Sequence, residues 1–112
     1  MRGGAQLSVT DLRRATRYPV QLPVLAEHRS LGDLMFSITN VSSTGFMASG
    51  IPPLGKGERV TIRLPQIGRI EAFLVWGESE RAGFQFERIL RLDDFMAMIE
   101  AMQPNPRLRS KR

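Results

Sequence analysis

The sequence of 112 residues predicts a mainly β domain, an antiparallel barrel or sandwich followed by a single C-terminal helix. Three observations predict it. Short segments alternate apolar and polar residues with period two, stretches rich in Gly and Pro separate them, and only from Leu92 does the apolar spacing change to that of a helix.

The opening MRGGAQLSVT has neither periodicity nor bulk, and residues 1–12 are expected to form a flexible leader. From Tyr18 the alternation begins, with Val20, Leu22, Val24 and Ala26 on one face of a strand. Pro19 and Pro23 fall on the other face and predict an edge or a bend, because proline cannot donate to a ladder. Ser30, Gly32 and Asp33 turn the chain into a second strand that alternates Leu34, Phe36 and Ile38 against Met35, Ser37 and Thr39. The stretch SSTG turns it again, and FMAS is a short third strand. After the loop GIPPLGKGE, the run RVTIRL places Val60, Ile62 and Leu64 inward. The fifth strand, IEAFLVW, is expected to put Ile70, Ala72, Leu74 and Trp76 on one face, and the last carries Phe84 and Phe86. In the helix, Leu92, Phe95, Met96, Ile99 and Met102 form the apolar stripe, with Met98 at its edge; Asp93 and Asp94 suit the positive end of the dipole and Pro104 stops it. Residues 13–102 thus read as one domain, with the helix covering an open side, and residues 103–112 as a flexible basic tail.

Charge is distributed unevenly. The net charge is +5, but residues 1–17 carry +3 and residues 103–112 carry +4, leaving the body at −2. A body of that sign is a poor surface for a duplex, although basic tails alone bind nucleic acid weakly and without sequence preference. The absence of cysteine excludes a disulfide scaffold, a thiol nucleophile and sulfur-rich zinc sites. With no apolar run long enough for a signal peptide or a membrane span, a cytoplasmic protein is expected.

Several apparent motifs carry no chemistry. The single histidine, His28, is expected on the surface, where without a second histidine it makes no zinc site. Ser42 and Ser43 lack a local base, so no hydrolase is expected, nor any other enzyme. The loop GIPPLGKG imitates a phosphate-binding loop, yet Gly57 stands where Ser or Thr must hold magnesium, and Pro52 and Pro53 remove amide donors.

Two features remain, R-x-x-x-R at Arg13 and Arg17 with Arg14 between them, and N-x-S-x-x-G at Asn40, Ser42 and Gly45. In that order, with a strand-rich body, a terminal helix, and Trp76, Gly83 and Phe86 on late strands, the chain resembles the PilZ domain family over residues 13–102. The resemblance implies a six-stranded antiparallel β-barrel with a C-terminal helix, and a receptor for the bacterial second messenger cyclic di-GMP that needs no other cofactor. A guanidinium donates a bidentate pair to guanine O6 and N7 or to phosphate oxygens.

By the family's pattern Arg13, Arg14 and Arg17 meet the ligand, Asn40 bonds the Watson–Crick edge of guanine, Ser42 contacts phosphate or base, and Gly45 leaves room for the purine. Many relatives carry a carboxylate at the position of Asn40, which would accept from both N1–H and N2–H, whereas an amide has one acceptor oxygen. Leu12 replaces a further arginine found in some relatives, and one ligand molecule per domain is expected. The arginine leader is expected to fold over the ligand and change a surface that an effector protein reads. The alternatives are a ligand-independent adaptor of motility or pilus machinery and a weak nucleic-acid binder acting through the tails.

Overall fold

The computed structural model describes residues 16–102. Six strands, β1 (Tyr18–His28), β2 (Gly32–Val41), β3 (Gly45–Ser49), β4 (Arg59–Leu64), β5 (Gly68–Glu78) and β6 (Arg81–Phe86), precede one helix, α1 (Leu92–Met102). All pairings are antiparallel, and the strands close into a barrel in the order β1-β2-β3-β6-β5-β4. The expected barrel is therefore found, rather than a sandwich.

Alternation decides which side chains fill so small a barrel. Val24 and Ala26, Phe36 and Ile38, Val60, Ile62 and Leu64, and Ile70, Ala72 and Leu74 all point inward and are buried. Phe36, Phe46 and Phe84 stack with centroids 4.9 to 6.2 Å apart, and Phe86 tilts against Phe46 at 5.6 Å. Burial of side chains of this size stabilises by roughly 2 kcal/mol apiece. The helix closes one end of the barrel through buried Phe95, Met98 and Ile99. Tyr18, at the start of β1, meets it edge-on at Phe95, with centroids 5.6 Å apart, and its hydroxyl lies 3.8 Å from the Met96 sulfur. Among the described residues no helix is long and apolar enough to cross a membrane.

The structure corrects three expectations. Trp76 does not continue the inward face of Ile70, Ala72 and Leu74; a shift of register between Leu74 and Trp76 inserts an extra residue, and the indole emerges 38% exposed. Met98 is not at the edge of the helix stripe but fully buried, whereas Met96 and Met102 are half-buried, so the helix is rotated about its axis toward Met98. His28 is buried rather than exposed, because β1 runs on two residues beyond Ala26 and carries the ring inward. Its Nδ1 accepts from the amides of Ser30 and Leu31 at 3.1 and 3.0 Å, which leaves the proton on Nε2 to be donated to Glu58 Oε1 at 2.6 Å. The Glu58 carboxyl is held below the ordinary carboxylate range, first by the Gly55 amide donating to Oε2 and then by His28.

Candidate functional site

The register of the sheet assembles residues far apart in sequence. Pro19 of β1 lies opposite Asn40, Asn40 opposite Met47, Met47 opposite Gly83, and Gly83 opposite Trp76. Because Val41, Phe46 and Phe84 point into the barrel, this row faces outward. It ends at β1 just where the arginine-bearing segment joins the strand.

Arg17 shows what that adjacency does. Its Nη1 donates to Asn40 Oδ1 at 2.8 Å, across 23 residues of sequence, and the other end of the Asn40 amide, Nδ2, lies 3.1 Å from the Met47 sulfur. Asn40 is thus oriented with its acceptor toward the arginine. Arg17 is exposed and has no carboxylate partner among the described residues, so the cation meets only a neutral dipole. A guanidinium has five N–H donors, and one bond to an amide leaves the fork available to an anion.

The turn after Asn40 is built differently. Ser42 is buried, its Oγ accepts from the Thr44 amide at 3.2 Å and lies 3.1 Å from Thr44 Oγ1, and its own amide donates to the Gly45 carbonyl at 2.8 Å. The Ser43 carbonyl accepts from Leu90 and the Thr44 carbonyl from Phe86, at 2.9 and 2.8 Å, so the turn is tied to the end of β6 and to the approach to the helix. Gly45 has a steric task of its own. A Cβ there would fall on the Phe84 carbonyl oxygen of the neighbouring strand β6.

The far end of the row is a flat aromatic step. A Cβ on Gly83 would sit within the indole of Trp76, so the ring lies directly over that glycine. Met47 is half-buried beside it, and together they give the row an apolar floor next to the polar pair Arg17–Asn40.

Of the six residues the sequence singles out, the structure joins Arg17 to Asn40 and sets Ser42 and Gly45 in the adjoining turn. Arg13 and Arg14, with the expected ordering of the leader, lie outside the described residues. Met47 and Trp76 were not legible as members of this surface, since only the cross-strand register puts them there; the pairing of a lone tryptophan with Gly83 was the one available signal. Among the described residues no group of three or more His, Asp or Glu side chains is placed to hold a metal ion.

Comparison with known proteins agrees with this architecture. The family model of the PilZ domain matches residues 11–101. Among solved structures, the chain is similar to the PilZ domain of CeSA from a cellulose-synthesizing bacterium, with a TM-score of 0.58 and 19% identity over 79% of this chain and 95% of that one. At that identity the likeness speaks for the fold alone. No curated protein matches the chain.

Proposed function

The chain belongs to the PilZ domain family, and from that premise we propose that it is a cytoplasmic receptor for cyclic di-GMP, one ligand per domain, with no catalytic role of its own. The observation that carries this reading is the bond between Arg17 and Asn40 on an outward row floored by Met47 and Trp76.

A purine laid on that floor would cover the indole and the thioether. Its Hoogsteen edge offers O6 and N7, the acceptor pair that a guanidinium fork fits. As Arg17 turns to the base or to a phosphate, it releases Asn40 Oδ1, which is then free to accept from the guanine N1–H or N2–H. Arg13 and Arg14 are assigned to the remaining phosphate charge. Ser42 and Gly45 hold the turn, and through it Asn40, in place. Charge-assisted hydrogen bonds contribute about 1.5 to 3 kcal/mol each, and after the cost of association and of ordering the leader a micromolar constant is expected. Closure of the arginine segment over the ligand then presents a changed surface to an effector protein.

A second reading, a ligand-independent adaptor, draws on the fact that Ser42 and Gly45 are already accounted for by the turn and by the β3–β6 contact. Calorimetric titration with cyclic di-GMP, using GTP and the linear dinucleotide as controls, separates the two. Saturable micromolar binding at one ligand per chain supports the receptor; heats no larger than those of the controls would leave the adaptor.

A further inference from the structure

The two edges of β1 differ. One is laddered to β2 from the pair Tyr18–Val41 to the pair His28–Gly32, with a register shift between Pro19 and Leu22, whereas the other meets β4 only at Glu27–Thr61 and His28–Val60. Residues 20–26 therefore have no strand partner on that side among the described residues, and residues 62–64 of β4 pair only with β5. Between these two open edges runs a groove of about 540 Å³, lined by Leu22, Pro23, Leu25, Ile62, Arg63 and Leu64 with their neighbours.

An open strand edge offers unpaired backbone groups to any extended chain that reaches it. This one also offers apolar surface, since Leu25, which lines the groove, is 54% exposed. The rim is cationic. Arg63 stands directly opposite Arg69, a like-charge pairing that disfavours a sheet; Arg69 is compensated by Glu27 at 3.2 Å, while Arg63 has no hydrogen-bond or ionic partner among the described residues. The chain's own continuation is a poor occupant. Met102 lies near Leu22 and Leu64, which also line the groove, but residues 103–112 carry four cations and no acid, which this rim repels.

We propose that the seam between β1 and β4 is a docking site for an extended acidic segment of a partner protein. The segment adds a strand along residues 20–26, with Pro23 offering its carbonyl but no N–H, lays alternate apolar side chains against Leu25, and places an Asp or Glu carboxylate on Arg63. In strand addition the main-chain hydrogen bonds supply affinity and the alternating side chains supply selectivity. The site lies on the edge of β1 that faces β4, opposite the edge paired with β2 and Asn40, and does not depend on what binds at the Arg17–Trp76 row.

The test uses the full chain, isotope-labelled, with acetyl-VEVEVE-amide as the probe and acetyl-VKVKVK-amide and a backbone N-methylated acidic peptide as controls. Amide shifts are expected at residues 20–22, 24–26 and 62–64 with the acidic probe alone, and Arg63→Glu should weaken its binding by about tenfold, the loss of an exposed attraction plus a matching repulsion. Unmoved seam amides at millimolar probe, equal binding of the basic or N-methylated peptide, or the same shifts produced merely by concentrating the chain, which would make a second copy the occupant, each overturn the proposal. Saturating cyclic di-GMP should leave the amides of residues 24–26 and 62–64 in place, so failure here is distinguishable from failure of the receptor reading.

Discussion

The two ends of β1 hold their polar groups in opposite ways. At the last residue, His28 is buried with both ring nitrogens engaged, by two amides on one side and Glu58 on the other. Just before the first, Arg17 is exposed and spends one donor on the amide oxygen of Asn40. Where polar groups satisfy one another inside the fold, substitution reads out as stability; where a cation is held by a single neutral dipole in water, it reads out as affinity for an anion.

The strongest way to break that division is at Gly45, which lies near the affinity end but is explained by packing. Gly45→Val should destabilise the domain by more than about 3 kcal/mol, because the Phe84 carbonyl leaves no space for a Cβ and a strand backbone cannot move aside cheaply. Urea unfolding checks this, and an unchanged midpoint would transfer the glycine from the fold to the ligand. Next in size, Arg17→Ala should lower affinity for cyclic di-GMP by about ten- to a hundredfold, with a change in unfolding free energy within about 0.5 kcal/mol. Loss of stability comparable to that of a core variant would erase the contrast with His28.

The His28 end makes a prediction in pH. The folded Glu58 carboxyl is depressed from its ordinary value of 4.5, so its contribution is present above that value and is lost as the pH falls below it through the folded pKa. Glu58→Gln should remove this acid limb from the stability profile while leaving ligand affinity untouched, as compared by thermal melts from pH 3 to 7. The smallest expected effect belongs to Trp76. Trp76→Ala should weaken binding only about three- to tenfold, the share of one stacking surface, and because Trp76 is the one tryptophan of the chain, its emission in the parent protein should change on saturation.

How far the sequence speaks for itself differs in the same way between inside and outside. The barrel interior was legible because alternation is a local signal, and Val60, Ile62 and Leu64 announce their face within six residues. A bulge inserts a residue without changing composition, which is why Trp76 changed sides. The burial of His28 was hidden because it depends on Glu58, 30 residues away, and on a hairpin whose amides turn back onto the ring. On the outside, Arg17, Asn40, Ser42 and Gly45 were visible as two short motifs. That Arg17 touches Asn40, and that Met47 and Trp76 extend the same row, follows only from pairings between β1, β2, β3, β6 and β5. The sequence also could not say that Ser42 turns its hydroxyl into the loop, since a serine in such a turn suits either task.

On the proposed reading, cyclic di-GMP lies on the outward row between Arg17 and Trp76. Mapping amide and indole shifts of the labelled full chain across a cyclic di-GMP titration tests it most directly. Saturating shifts are expected at Arg17, Asn40, Met47, Gly83 and the Trp76 indole, with His28 and Glu58 still. Saturable binding whose shifts gather anywhere else on the barrel, with Arg17 and Asn40 unmoved, would contradict it.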